Sequence, residues 1–584
     1  MNATDLLLGM HPIDLALVVI YLLGIGALGV YQTVRVKTSG DFFAGGRKFS
    51  KWLMMMHALG TGTHADDPVG VVGASYQRGI SGIWYTYVYL FCTPFYWIMA
   101  PLFRRSRYIT TADFFKARFG DSMAVLYTIM GILTFAVNTG TLLIGTRKIV
   151  QAVTVGQVPG WAAVIGMTVI FVIYGTAGGL IATVVTESIQ GILIVVMSLL
   201  VVPFGIWKLG GVGQMHDLVD PASFTLAAPQ EMTPTWILAG FVMMLIGIVG
   251  QPHIMEVCST GKTEFEGRVG FTYGNMIKRI CAIGWAFTGI IVLAMGAAGM
   301  TRELAPEERE LAFGLAIRDL LPVGATGLMF AAILAAQMST LSAIMVAGSA
   351  LFTRNIYQGI LRPGATDAQV LRLGRFAGLI VVGLGVLFAF AVPEVTQALP
   401  IFWAMATFTG LFMWFGVLWR RTNRTGAWAS FIVMTVIWLI VGPMGKLVSQ
   451  PAANIAAGYP DSNIARALGQ AAPTLGVYSD RAALDKLALS FLPVGVVALV
   501  LFSLLTKPED KERLDEFYLL LRTPVGHEQK LRDAGVHVVY SGSEEPHRWE
   551  ANHPREVNVL GFLVALAISL LMLGLLYGLA QIGA

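Results

Sequence analysis

The chain has 584 residues, 55% hydrophobic and only 13% charged, with a formal net charge of +5 and a mean hydropathy of +0.68. Soluble domains carry about 25% charged residues, so this composition excludes a soluble globular protein and identifies an all-α integral membrane protein. The basic residues are spread over short loops rather than gathered on one element, which excludes a nucleic-acid partner and leaves the lipid bilayer.

Apolar stretches begin near residues 12, 51, 81, 122, 160, 183, 234, 274, 323, 371, 397, 425, 485 and 557. A crossing needs about 20 such residues, giving about fourteen transmembrane helices. The first stretch has no basic flank and no small-residue cleavage site, so it reads as a retained helix. The loop after it carries Arg35, Lys37, Arg47, Lys48 and Lys51, and the loop 104–118 carries Arg104, Arg105, Arg107, Lys116 and Arg118. Every second loop stays basic, as with Lys262, Arg268, Lys278 and Arg279, then Arg354, Arg362, Arg372 and Arg375, then Arg420, Arg421 and Arg424. These loops face the cytoplasm, and an even number of spans places both termini outside the cell membrane.

The second span contains "LGTGTHADDPVGVVG" (59–73), where Gly60, Gly62 and Pro68 break the helix and free backbone groups that need polar partners. Ionisable groups at membrane depth default to function. At 1.5 Å per residue from Lys51, His64, Asp66 and Asp67 lie about 20 Å into a core about 30 Å thick, facing an outward vestibule. The two acids are a second cation or proton site, a carboxylate pair for substrate hydroxyls or amines, or solvated wall; they also suit a helix N-terminus. His64 is a proton-coupled group or a structural partner for an acid.

In the third span, Trp84, Tyr85, Tyr87 and Tyr89 offer a ring surface for a solute, with Trp84 the candidate, or an interfacial aromatic belt. Asn138 and Gln190 read as amides bridging helices. Cys92, Cys258 and Cys281 have neither disulfide nor metal spacing.

The seventh span, "MLIGIVGQPHIME", is broken at Gly247, Gly250 and Pro252, which brings Gln251 and His253 forward as substrate-binding candidates. Two breaks five helices apart match two inverted five-helix repeats whose discontinuous first helices meet at the midplane; the competing reading is a pair of packing kinks. In the ninth span, Ala336, Ser339 and Thr340 stand at i, i+3 and i+4 on one face. Two hydroxyls there, with carbonyls near Gly60 and Thr63, make an oxygen cage suited to sodium, against the alternative of interhelical hydrogen bonding. Beyond the core, the polar segment 446–484 falls outside and 507–556 falls inside, beginning with the amphipathic "KPEDKERLDEFYLLLRTPVG". Neither is long or apolar enough for a catalytic domain.

Four stretches, "DFFAGGRKFSKW" (41–52), "YGTAGGLIATVVTESIQG" (174–191), "GQPHI" (250–254) and "ILAAQMSTLSA" (333–343), resemble the sodium:solute symporter family. The resemblance implies a leucine-transporter-type 5+5 inverted repeat with extra helices: an N-terminal helix and loop (1–50), two repeats (51–228 and 229–422) and additional helices (423–584). It also implies sodium-driven import of a small organic solute (an amino acid, a sugar or polyol, or a carboxylate) by a monomer or weak oligomer. Matched position by position, the sodium ligands are the carbonyls of Gly60, Thr63 and Ala336 and the hydroxyls of Ser339 and Thr340. Glu187 falls where the family has an aspartate near the sodium exit path. The chain departs from the family at the second span's break, where it has Gly62 and His64 with the acids following, and from the family's proline-permease branch after "GQPHI", where that branch has an arginine and here Val257 follows Glu256. The rival classes are a proton-coupled transporter of the same fold, a symporter-like sensor, for which the inner loop of about fifty residues is too short to hold a kinase, and a membrane enzyme, whose nucleophile–base or H-E-x-x-H signature is missing. His64, Asp66 and Asp67 reach one metal only if the helix is broken.

Overall fold

Asp14, in the first turn of the first helix, accepts hydrogen bonds from the Gly324 and Gly327 amides at 2.7 and 2.8 Å. A carboxylate there satisfies the unpaired N–H groups of a helix start and sits favourably at its positive end. Predicted spans one and nine therefore begin on the same side of the membrane, as alternate counting requires.

The computed structural model describes residues 6–31, 49–228, 231–442, 483–536, 538 and 547–583. Residues 41–48 of the first signature stretch, the basic residues Arg35 to Lys48, positions 446–482, and the side chains at 174 and 176–186 lie outside the description. The elements are α1 (Pro12–Tyr31), α2 (Lys51–Gly62), α3 (Asp66–Arg78), α4 (Thr93–Ser106), α5 (Thr111–Phe119), α6 (Asp121–Val153), α7 (Gly160–Leu209), α8 (Pro234–Gly247), α9 (Pro252–Ser259), α10 (Glu264–Ala297), α11 (Ala312–Leu320), α12 (Ala325–Ala350), α13 (Asp367–Ala391), α14 (Val395–Leu418), α15 (Arg424–Val441), α16 (Leu484–Leu505), α17 (Lys511–Arg522) and α18 (Pro554–Gln581). Among the described residues there is no β-strand, only isolated bridges.

By length and composition, 9 described helices can cross a membrane, or up to 10 if α8 and α9, bent by 60°, form one span. The fourteen counted from sequence are not reached on this measure, because the segments at 12, 51, 81 and 160 are helical but short or interrupted. The 50 residues of α7 would extend about 75 Å, far more than a bilayer core. Its apolar stretches, Gly160–Ile173 and Glu187–Leu209, correspond to two predicted spans.

Burial separates centre from rim. The most apolar window of α12 is 100% buried and those of α6 and α10 are 83% buried, against 28% in α15 and α18. The small residues Ala331, Ala332, Ala335 and Ala336 let neighbouring backbones approach α12 closely; α7, α1 and α13 pack against it, while α10 runs along α2 and α3.

The basic loops gather on one face. Phe49 exchanges backbone hydrogen bonds with Thr260 and Lys262, and Arg118 donates to the carbonyls of Gly416 and Thr422, both at 2.9 Å. Arg107 meets Glu528 at 3.0 Å and Arg268 meets Glu550 at 2.7 Å, which brings the described residues around Glu528 and Glu550 to the same face. Lys278 and Arg279 are the correction to the loop reading. The Thr263–Glu266 capping box starts α10 at Glu264, so at 1.5 Å per residue these two cations lie about 21 Å along a buried helix rather than in a loop.

Candidate functional site

Both predicted breaks are present. At the first, α2 ends at Gly62, Thr63 is extended (φ −132°, ψ 112°), and α3 starts at Asp66. At the second, a 3-10 turn over Ile248–Gly250 leads to extended Gln251 (φ −72°, ψ 127°), after which Pro252 opens α9, a favoured position for proline. The freed groups have partners. Gln337 Oε1 accepts the Ala65 amide at 3.1 Å, and the Gly250 carbonyl accepts Tyr127 Oη at 2.8 Å and Thr409 Oγ1 at 3.3 Å.

The proposed sodium ligands meet where α2 ends beside α12. Thr340 Oγ1 donates to the Gly60 carbonyl at 3.2 Å, the same carbonyl that takes the Thr63 amide at 3.3 Å. Ser339 Oγ lies 3.1 Å from the Ala336 carbonyl and 2.8 Å from Gln190 Oε1. Thr63 Oγ1 is buried with no hydrogen-bond partner among the described residues. The donor set is oxygen throughout, which fits a small hard cation, and a hydroxyl presents a lone pair to an ion by rotating its hydrogen away.

Glu187 stands beside this cluster, fully buried. Its Oε2 lies 2.7 Å from His57 Nδ1 and its Oε1 accepts Thr61 Oγ1 at 3.2 Å. His57 was not a sequence candidate; its position one turn before Thr61 on α2 was the available signal.

Between the broken helices lies a cavity of about 890 Å³, its open mouth included. Its wall brings together His64, Asp66, Asp67, Gln251 and His253. His64 Nδ1 bonds Asp66 Oδ1, and Gln251 Nε2 has no hydrogen-bond partner among the described residues. The ligand atoms of His64, Asp66 and Asp67 all lie within 4.8 Å of one another, the convergence that required a broken helix. Lys278 Nζ, however, sits 2.8 Å from Asp67 Oδ2 and donates to the Gly62 carbonyl, so the lysine already supplies a cation at that end of the trio. The acids thus line the central cavity, with Asp66 buried.

Trp84 is not brought to this wall. Its indole donates to the Leu226 carbonyl at 2.6 Å and it stacks on Phe91, while Tyr85 and Tyr89 line the cavity instead. Lys278, Arg279 and Gln337 were missed as site residues. The first two were read as loop; Gln337 stood inside the quoted "ILAAQMSTLSA", on the turn between Ala336 and Thr340.

A model of the sodium:solute symporter family matches residues 42–433. The sodium/pantothenate symporter of Haemophilus influenzae is 25% identical over 454 residues, covering 73% of this chain and 90% of that one. The sodium/myo-inositol cotransporter 2 of Sus scrofa is 23% identical over 502 residues, covering 76% and 71% respectively. Among solved structures, a Na⁺-coupled sialic acid symporter in a substrate-bound outward-open state superposes with a TM-score of 0.67 at 18% identity, over 85% of this chain and 98% of that chain.

Proposed function

The chain belongs to the sodium:solute symporter family, and on that premise we propose how its broken helices carry sodium-coupled symport of a small organic solute. Thr340 bonded across to the Gly60 carbonyl at 3.2 Å is the observation that carries the reading. It ties the first break to α12, so an ion held by Gly60, Thr63, Ala336, Ser339 and Thr340 fixes the α2 end against α12. Sodium entering from outside then favours the outward-open arrangement and completes the cavity between the breaks, where His64, Gln251 and His253 meet the solute. Alternating access releases both inward, with Glu187 beside the sodium path. Two inverted repeats over 51–228 and 229–422 rock around this site, and the face carrying the basic loops is cytoplasmic, which leaves both termini outside.

Uptake into proteoliposomes tests the assignment. Ser339→Ala with Thr340→Ala raises the sodium concentration for half-maximal uptake; unchanged sodium dependence would sink the site. A proton-coupled version draws on the buried His57–Glu187 pair, and replacing sodium by potassium at constant pH gradient separates the two, since only sodium coupling then loses accumulation.

A further inference from the structure

We propose that the transported solute is an organic carboxylate and that Arg279 receives it; this rests on the symport reading of the same cavity. Arg279 follows Lys278 on α10, lines the cavity and is only 2% exposed. Among the described residues its Nε and Nη1 have no hydrogen-bond partner and it forms no ion pair with a carboxylate. Its guanidinium lies 5.3 Å from the ring centroid of Tyr89, and Tyr96, stacked on Phe271 at 4.3 Å, lines the same space.

The two acids of the cavity are engaged elsewhere, Asp66 hydrogen-bonded to His64 and Asp67 paired with Lys278. A guanidinium does not deprotonate in proteins, so the positive charge of Arg279 stands at membrane depth without a carboxylate in contact among the described residues. Buried charges are retained where they pair, and removing the partner of a buried ion is strongly destabilising. The partner that completes Arg279 enters through the cavity. Nε–H and Nη1–H lie on different edges of the guanidinium, and each offers a charge-assisted hydrogen bond to a carboxylate oxygen in the cavity. The tyrosine rings beside them suit an apolar or ring-bearing body. A neutral sugar or polyol would leave the charge uncompensated.

Thermal shifts of the purified full-length protein test this with matched probes in sodium chloride and in potassium chloride: glucuronate against glucose, lactate against propane-1,2-diol, and pantothenate against pantothenyl alcohol. At least one carboxylate raises the melting temperature where its neutral counterpart does not. Arg279→Gln weakens that carboxylate by about 30-fold or more, and Arg279→Lys recovers part of the loss, since lysine restores the charge without the planar set of donors. Stabilisation by the neutral members, silence of every carboxylate, or unchanged binding to Arg279→Gln overturns the assignment. The wild-type comparison decides even if the variants do not fold. A carboxylate shift of equal size in both salts counts against sodium coupling and leaves Arg279 in place, whereas a sodium-dependent shift with neutral solutes alone does the reverse.

Discussion

Gly60 is where sequence and site meet most tightly. A Cβ added there would stand 2.7 Å from both Cβ and Cγ of Glu187, whereas one on Gly62 would meet nothing nearer than Asn275 Oδ1 at 3.8 Å. The first glycine is required by the close approach of α2 to Glu187, and the second has room. Gly60→Ala therefore lowers the melting temperature, by an overpacking cost of about 1–3 kcal/mol, while Gly62→Ala leaves it nearly unchanged; equal effects of the two in a thermal melt would contradict the packing. The Lys278–Asp67 contact makes a second prediction. Lys278→Met or Asp67→Asn alone leaves one partly buried charge unpaired, at up to about 3–5 kcal/mol, whereas the double variant removes both. A double-mutant cycle of melting in detergent should give strongly non-additive losses, and additive losses would show that the pair is not formed.

The elements were legible where the chain is regular or punctuated, and illegible elsewhere for physical reasons. The breaks could be read because glycine and proline interrupt an otherwise apolar run, and the face shared by Ala336, Ser339 and Thr340 because α12 keeps helical spacing. Trp84 could not be placed, since Gly79–Ile83 is a 3-10 turn and Trp84–Tyr87 a helix of 4 residues, so no period tells which ring faces inward. Lys278 and Arg279 misled because counting basic residues assigns them to a loop, although the Thr263–Glu266 box already marked the helix start. What no local pattern reveals is the neighbour across the gap. A Cβ on Gly410 of α14 would lie 2.0 Å from the Ile246 carbonyl oxygen, and one on Gly250 would lie 2.4 Å from the Gly410 amide nitrogen. The second break thus needs backbone against backbone, and Gly410 is essential to it while standing in an unbroken helix. Gly410→Ala displaces α14 from the break, so sodium-driven uptake falls at least about tenfold, since misplacement of about 1 Å at a binding geometry is costly; wild-type uptake by that variant would show the contact to be slack.

At the scale of the whole molecule, the segment after α16 is joined to the corner between α9 and α10, the basic-face end of the second broken helix. Glu264 accepts Arg105 Nε at 2.8 Å and the Val525 amide at 2.9 Å, Arg268 holds Glu550 while donating to the Trp97 carbonyl at 2.6 Å, and Phe265 stacks on His547 at 4.2 Å. Burial, together with the neighbouring Glu264 carboxylate, pushes the Glu550 carboxyl up to about 7 even though Arg268 and Arg105 pull it down. When this segment unfolds, Glu550 returns to the ordinary carboxylate range near 4.3. Between those values the folded state holds the proton that the unfolded state has lost, so stability falls as pH rises through the window and stays lower above about 7. Glu550→Gln keeps the side chain uncharged at every pH and removes that slope. The difference in melting temperature, variant minus wild type, should therefore grow from pH 5 to pH 7.5 and then level off. A difference independent of pH would mean that Glu550 ionises like a free carboxylate, and that the segment is not seated against Glu264 and Arg268 as the fold has it.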